Sequence, residues 1–157
     1  MLIRRARGAL PRIWRSVPWV QWRLLHLTQP TFLVGVCALL RSEDGEFLLV
    51  RNAFWPKGQQ WGMPTGYLEP DESLAECVAR ELAEEIGGGT VEDIRVLDMS
   101  AGYRMRVEVL VSGTVRDLPS REEHESVEVS DHRLATMDTL PEGLHDGHRE
   151  KLARHLG

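Results

Sequence analysis

Two short runs of apolar residues stand in the first third of the chain, at positions 32–40 and 47–50. Both have the length and the aliphatic content of buried strands. The segment between them contains the Asp44-Gly45 pair, which favours a tight hairpin turn. We therefore predict two strands joined by a hairpin. The stretch that follows, up to residue 71, is rich in proline and glycine and predicts loops and turns.

The clearest periodic segment covers residues 74–86, where apolar residues recur every three or four positions. At about 100° per residue, one face of a helix over this segment carries Leu74, Val78, Leu82 and Ile86. Ser73 precedes the segment and Glu76 follows three residues later, which is the pattern of a capping box. Three glycines at 87–89 end it. The spacing predicts an amphipathic helix that buries its apolar face.

Alternating apolar and polar residues return after this helix, at 91–99 and 103–115, and predict two further strands. A charged loop at 118–128 follows, then a short strand at 129–136 and a last helix at 144–155. This order of elements predicts an α/β fold in which helices pack on the faces of a mixed β-sheet.

The composition limits the class of protein. The chain has 157 residues, of which 42% are apolar and 27% are charged, a balance typical of one globular domain. The apolar run at 32–40 is too short to cross a bilayer, so we expect no transmembrane segment. Two cysteines, Cys37 and Cys77, cannot form a disulfide scaffold, and we expect a reducing, cytoplasmic location.

The net charge of −5 is unevenly distributed. Residues 1–42 carry seven arginines and no acidic residue, whereas residues 43–157 carry 12 basic and 24 acidic residues. Because nucleic-acid binding needs a basic face, the acidic body of the chain argues against a nucleic-acid partner.

The first 30 residues differ from the rest of the chain. We expect residues 1–30 to form a basic, tryptophan-rich helical extension and residues 31–157 to form the main domain. A helix that begins at Pro18 would end before Pro30. Three roles stay open for this extension: packing on the domain or on a second copy of the chain, contact with a membrane surface, or an organellar presequence. A homodimer is therefore one expectation.

Three glutamates lie on one side of the predicted helix: Glu81, Glu84 and Glu85. Glu81 and Glu85 repel each other at a spacing of four residues, which costs about 0.2–0.5 kcal/mol. All three occupy the last turn and a half, where the helix dipole disfavours each anion by roughly 0.3–1 kcal/mol. A divalent cation would remove both penalties, and Mg²⁺ and Mn²⁺ prefer oxygen ligands. The alternative is a solvated acidic face.

The spacing around these glutamates matches a longer pattern. Gly66 is followed after five residues by Glu72, and after seven more by the segment 80–87, Arg-Glu-Leu-Ala-Glu-Glu-Ile-Gly. This pattern resembles the Nudix box, the signature of the Nudix hydrolase family, over residues 66–88. The sequence departs from the usual box at Gly88, where an aliphatic residue is common, and just ahead of it at Thr65, where many members have glycine. The resemblance implies a Nudix-type α/β/α sandwich with a mixed β-sheet.

The resemblance also implies an activity. Nudix enzymes use Mg²⁺, for which Mn²⁺ can substitute, to cleave the diphosphate linkage of a nucleoside diphosphate joined to another moiety. The implied partner is thus a nucleotide-type small molecule. By motif position, the implied metal ligands are the Gly66 carbonyl and the carboxylates of Glu81, Glu84 and Glu85. The implied catalytic residues are Glu84, Arg80 and a distal acid that takes a proton from water, for which Glu128 fits best and Glu125 next.

The same resemblance gives supporting roles to two residues. Arg80 is similar to the motif arginine that holds the carboxylates in place, and helix spacing predicts ion pairs with Glu76 and Glu84. Glu72 precedes the helix and is expected to brace the loop from outside the metal site.

Residues outside the box are candidates for binding the substrate. The basic side chains suited to phosphate are Arg51, Lys57, Arg104 and Arg106. Trp55 and Tyr67 are suited to stacking on a base. Tyr103 stands about where dinucleoside polyphosphate hydrolases have a tyrosine. The absence of proline between Pro70 and Pro119 argues against the branch that cleaves ADP-ribose.

Two alternatives to a hydrolase stay open. A Nudix-fold module can bind a nucleotide without cleaving it, although such a module would be expected to lack one of Glu81, Glu84 and Glu85. Isopentenyl diphosphate isomerase shares the fold and needs a catalytic cysteine, whereas packing is the commoner role for residues such as Cys37 and Cys77.

Overall fold

The computed structural model describes residues 19, 23, 25, 27–101, 105–120 and 126–156. The strands are β1 Leu33–Arg41, β2 Phe47–Asn52, β3 Trp61–Gly62, β4 Thr65–Tyr67, β5 Thr90–Ala101, β6 Arg106–Arg116 and β7 Val129–Ala135. The helices are α1 Leu74–Ile86 and α2 Asp146–Leu156, and a 3₁₀ turn lies at Met137–Thr139. The strands and helices predicted within residues 31–157 are confirmed, and none of their ends moves by more than three residues.

The described strands form one mixed sheet. Its main order is β3-β2-β1-β6-β5, with β4 paired to β1 and β7 paired to β2. β1 and β6 are parallel, so that Leu33 faces Arg106 and Arg41 faces Thr114. The other strand pairs are antiparallel. The predicted mixed sheet is therefore confirmed.

A helix covers each face of this sheet. Along β1, Val36 belongs to a buried cluster that includes Leu82 of α1. Its neighbour Cys37 belongs to a second buried cluster that includes Leu152 of α2. Because both faces of β1 are buried, its sequence is a continuous apolar run rather than an alternating one. The layers form the predicted α/β/α sandwich.

Both ends of α1 are set by the local sequence. Ser73 Oγ accepts a hydrogen bond from the Glu76 N–H at 3.3 Å, and the Glu76 carboxylate accepts one from the Ser73 N–H at 2.8 Å. The predicted capping box is thus confirmed. At the other end, Gly87 adopts the left-handed conformation with φ 88°, and its N–H donates to the Ala83 carbonyl. Glycine favours this end because a side chain is disfavoured at positive φ.

The short strands β3 and β4 lie where the sequence predicted only turns. β4 pairs with β1 through Gly66 and Val36, and β3 pairs with β2 through Trp61 and Arg51. Strands of two or three residues are too short to show an alternating pattern, so no periodicity in the sequence predicts them. They matter here because β4 fixes Gly66 beside the centre of the sheet.

The predicted extension at 1–30 lies largely outside the described residues. Its described helical positions are Trp19, Arg23, Leu25, Leu27 and Thr28. Residues Leu33–Gly157 form one compact unit. Among the helices in the described ranges, none has the length and the apolar character that a membrane span requires. The division of the chain at residue 30 stays a prediction.

Candidate active site

A cleft of about 800 Å³ brings together residues from five separate segments of the chain. The predicted site residues that line it are Gly66, Tyr67, Arg80, Glu81, Glu84 and Glu128, together with Trp55 and Arg106. They come from the loop after β2, from β4, α1 and β6, and from the residue before β7. The fold thus gathers most of the predicted acidic residues at one place.

Arg80 joins α1 to the loop that precedes it. Its Nε and Nη2 donate to the Glu72 carboxylate at 2.9 and 3.1 Å, and Nη2 also donates to the Tyr67 carbonyl at 2.9 Å. Its Nη1 donates to Glu81 at 2.8 Å and lies 3.5 Å from Glu84. The planar guanidinium suits this arrangement because its donors point in fixed directions.

The predicted ion pair between Arg80 and Glu76 is wrong. The Glu76 carboxylate accepts the Ser73 N–H instead, within the capping box. Glu72 takes its place as the partner of Arg80, and the same carboxylate accepts the Glu69 N–H at 3.0 Å. The hydrogen bonds from Arg80 and from the Glu69 backbone lower the pKa of Glu72. Glu72 is therefore an ionised brace between the loop and the helix.

Glu81 lies directly against Gly66. A Cβ at Gly66 would overlap with the Glu81 carboxylate, so only glycine allows this approach. Burial raises the pKa of Glu81, and the Arg80 hydrogen bond opposes that effect. The contact places one acidic side chain of α1 against the backbone of β4.

Glu85 is the most deeply buried of the three helix glutamates. It is 5% exposed, and its Oε2 has no hydrogen-bond partner within the described ranges. Burial, and then the negative charges of Glu81 and Glu128, raise the pKa of Glu85 to about 9. A buried carboxylate oxygen without a partner is unfavourable, and a bound cation would satisfy it.

The donor set on α1 fits a divalent cation that prefers oxygen. Glu84 is 62% exposed and lines the cleft, whereas Glu81 is 16% exposed. Together with the unpartnered oxygen of Glu85, these side chains offer the ligands that Mg²⁺ and Mn²⁺ prefer. Within the part of the chain that is described, no three His, Cys, Asp or Glu side chains lie close enough together to hold a metal ion. Arg80 holds Glu81 and Glu84 instead, and the metal-ligand roles stay predictions.

Glu128 reaches the cleft from the residue before β7. Asn52 Nδ2 donates to its Oε1 at 2.7 Å, and the Ala53 N–H donates to its carbonyl at 2.7 Å. No local pattern in the sequence indicates Asn52, because this residue only ends an apolar strand and meets Glu128 through the pairing of β2 with β7. Glu125, the second candidate for the distal acid, lies outside the described residues.

Two aromatic rings and one guanidinium share the cleft with the acids. Arg106 lies over the Tyr67 ring, 5.3 Å from its centroid. Gly35 makes room for this guanidinium, since a Cβ there would stand 2.8 Å from Arg106 Nε. The second aromatic ring, that of Trp55, packs edge-on against His148, with the ring centroids 4.9 Å apart. The cleft therefore has groups for planar and anionic parts of a ligand.

His148 of α2 holds Trp55 through this ring contact. It is 7% exposed, and its Nδ1 accepts the Met63 N–H at 2.8 Å. Burial, followed by the charges of His145 and Arg106, lowers the pKa of His148 to about 4. This histidine is thus a neutral acceptor at neutral pH. No local pattern in the sequence indicates His148, because its partners lie far away in the chain.

Two of the predicted substrate-binding residues, Arg51 and Lys57, do not line the cleft. Arg51 is exposed on β2, with its Nη2 3.4 Å from Gln60 Oε1, and Lys57 is exposed in the following loop. Tyr103 and Arg104 lie outside the described residues.

The two cysteines have the environment of packing residues. Cys37 and Cys77 are both buried and free. Burial raises the pKa of each thiol to about 11. A reactive cysteine needs a lowered pKa, so this finding favours packing over the catalytic role that an isomerase would require.

Comparisons with known proteins agree with this fold. The model of the NUDIX domain matches residues 31–155. The NAD-capped RNA hydrolase NudC of Mycobacterium bovis is 38% identical over 72 residues, which are 46% of this chain and 22% of that protein. The phosphatase NudJ of Escherichia coli O1:K1 / APEC is 44% identical over 54 residues, 34% of each chain.

A solved structure extends the comparison over the whole fold. The crystal structure of a NUDIX hydrolase from Nitrosomonas europaea superposes with a TM-score of 0.62 and 22% sequence identity, covering 81% of this chain and 71% of that one. The curated relatives share only a segment of their length with this chain, about a fifth of NudC and a third of NudJ. The domain match itself spans most of the sequence. The chain therefore belongs to the Nudix hydrolase family.

Proposed function

We propose that this chain hydrolyses the diphosphate linkage of a nucleoside diphosphate joined to another moiety, by attack of water at phosphorus. The observation that carries the proposal is the single cleft lined by Gly66, Glu81, Glu84 and Glu128. Its volume of about 800 Å³ suits a ligand of nucleotide size.

We propose that the Gly66 carbonyl and the carboxylates of Glu81, Glu84 and Glu85 hold Mg²⁺, with Mn²⁺ as a substitute. When bound, the cation neutralises phosphate oxygens and lowers the pKa of the attacking water. The unpartnered Oε2 of Glu85 supports this assignment. So does the repulsion between Glu81 and Glu85, which a cation relieves.

The remaining steps belong to the chain's own side chains. Glu128 is proposed to accept the proton of the attacking water, a contribution of typically about 10²–10⁴-fold. Asn52 holds its carboxylate at 2.7 Å. Arg80 is proposed to keep Glu81 in place through its contacts with Glu72 and Tyr67.

The substrate is proposed to bind through the other residues of the cleft. Arg106 is suited to a phosphate, because a guanidinium donates two parallel hydrogen bonds to oxygen anions. Trp55 and Tyr67 are suited to stacking on a base. Arg51 and Lys57 could act only on parts of a ligand that extend beyond the cleft lining. The relative named as a NAD-capped RNA hydrolase gives nucleotide-containing compounds priority in a substrate search.

A cytoplasmic location is part of the proposal, and the two free thiols support a reducing compartment. The homodimer and the separate extension at 1–30 stay predictions.

A substrate panel tests the proposal. It comprises nucleoside triphosphates, nucleotide sugars, dinucleoside polyphosphates and ADP-ribose, each with and without Mg²⁺, and products are read by mass spectrometry. Glu84→Gln is the key variant because Glu84 is exposed and its loss leaves the core intact. Glu150→Gln, at an exposed acid on α2, is the matched control.

The expected result is Mg²⁺-dependent cleavage that falls at least about 10²-fold in Glu84→Gln and is unchanged in Glu150→Gln. In ¹⁸O-labelled water the label should appear on a phosphate product. Label on a carbon-bound hydroxyl, with release of the intact diphosphate, would exclude attack at phosphorus. Nucleotide binding without cleavage by the folded protein would contradict the hydrolase and favour a binding module.

A further inference from the structure

We propose that Asn52 is the positioning residue for Glu128: it holds that carboxylate in the cleft and links it to the loop that carries Trp55. The inference rests on the proposed function, in which Glu128 accepts a proton from water. Asn52 is not among the residues that line the cleft. It would therefore act through Glu128 rather than on the substrate.

Asn52 is a buried amide with both ends of its side chain in use. It is 1% exposed, its Nδ2 donates to Glu128 Oε1 at 2.7 Å, and its Oδ1 accepts the Phe54 N–H at 2.9 Å. A buried amide that loses a partner is destabilised by the full cost of desolvation. Neither Glu128 nor Phe54 can therefore move away without a penalty at Asn52.

Backbone contacts bring Glu128 to the same place. The Ala53 N–H donates to the Glu128 carbonyl at 2.7 Å, and Ser126 Oγ accepts the Glu128 N–H at 3.3 Å. The pairing of β2 with β7 changes register between Arg51 and Asn52. Such irregularities redirect a side chain. The main chain of Glu128 is thus fixed on β2, and the amide of Asn52 sets the direction of the carboxylate.

A neutral amide suits this task better than a cation would. An ammonium or guanidinium at this position would hold Glu128 in an ion pair and weaken it as a proton acceptor. The amide of Asn52 supplies a directed donor without adding a charge. It can therefore orient the carboxylate while leaving it able to take a proton.

The loop that Asn52 anchors also reaches the proposed base-binding side of the cleft. The Asn52 N–H donates to the Gln60 carbonyl at 2.9 Å and closes the loop at its base. Within this loop, Trp55 lines the cleft and packs against His148. A ligand in contact with Trp55 is thereby connected to Glu128 through Phe54 and Asn52.

A double-mutant cycle with Asn52→Ala and Glu128→Gln tests the inference, using the panel compound that the wild-type chain cleaves fastest. We expect Asn52→Ala to lower kcat about tenfold or more and to change KM less than about twofold. In the Glu128→Gln background the same substitution should change kcat less than about twofold. Ser130→Ala is the matched control, because it removes a hydrogen bond to the Arg51 carbonyl on the same strand pair.

A second variant and a second measurement protect the test against loss of folding. Asn52→Leu keeps the side-chain volume and adds no charge beside Glu128 but removes the donor to it, so kcat should fall as in Asn52→Ala. In urea unfolding with EDTA, the midpoint shifts of Asn52→Ala and Glu128→Gln should be non-additive, because bonded side chains are energetically coupled.

Three results would overturn the inference, and the first two are an equal loss of kcat from Asn52→Ala in both backgrounds and additive shifts in unfolding. Unchanged kcat in Glu128→Gln would also overturn it, while leaving the hydrolase function intact. A folded wild-type chain that cleaves no compound of the panel would instead refute the proposed function, and the unfolding cycle would then report on the contact between Asn52 and Glu128 alone.

Discussion

Acidification is expected to lower the contribution of one buried histidine to the stability of the fold. His148 is 7% exposed and accepts the Met63 N–H at its Nδ1. A protonated Nδ1 cannot accept this hydrogen bond. Burial, and then the charges of His145 and Arg106, lower the pKa of His148 from 6.5 to about 4. The folded chain therefore resists protonation that the unfolded chain accepts.

The sign and size of the effect follow from these two pKa values. Between about pH 6.5 and pH 4, His148 is protonated in the unfolded chain and neutral in the folded chain. Because the unfolded state then binds more protons, the free energy of unfolding decreases as the pH falls. A pKa difference of about 2.5 corresponds to a loss of roughly 3 kcal/mol by pH 4. That is a large part of a typical domain stability of about 5–15 kcal/mol.

Urea unfolding of the metal-free protein between about pH 7.5 and pH 4 measures this loss. The variant His148→Asn keeps an acceptor near the position of Nδ1 but cannot be protonated there. We expect wild type to lose roughly 3 kcal/mol more than this variant over that range. Arg149→Gln, at an exposed position of the same helix, is the control and should follow wild type. A difference between wild type and His148→Asn that does not change with pH would refute the reasoning.

Two further predictions concern the geometry around α1. Gly66→Ala places a methyl group on the Glu81 carboxylate, so Mg²⁺-dependent kcat/KM should fall roughly 10²-fold with an unchanged circular dichroism spectrum; retained activity would contradict the close contact. Arg80→Lys keeps the charge but loses the fork that holds Glu72 and Tyr67, so activity should fall roughly 10- to 100-fold; full activity would show that charge alone suffices.

The sequence was most informative where the physical signal is local. The ends of α1 agree with the prediction because Ser73, Glu76 and Gly87 act on the nearest turn of the helix. The strand β1 agrees because burial on both faces produces an apolar run without interruption. The three helix glutamates lie where periodicity placed them. Of the three, Glu81 lies directly against Gly66.

Contacts between distant segments could not be predicted in the same way. Asn52 and Glu128 are 76 positions apart, and Met63 and His148 are 85 apart. Such pairs depend on strand order and register, which no local pattern encodes. The incorrect prediction of an ion pair between Arg80 and Glu76 has a related cause. Helix spacing favours Glu76, but its carboxylate accepts the Ser73 N–H within the capping box instead.

The stability of α1 shows how the chain tolerates three acids in one helix end. The dipole disfavours Glu81, Glu84 and Glu85 by roughly 1–3 kcal/mol together, and a capping box contributes only about 1 kcal/mol in return. The capping box alone therefore does not offset the penalty of the three acids. Burial of the apolar face offsets it, because Val78 and Leu82 are 3% and 0% exposed and each such side chain contributes about 1.5–3 kcal/mol. Tertiary packing thus holds the carboxylates where isolated helix energetics would oppose them.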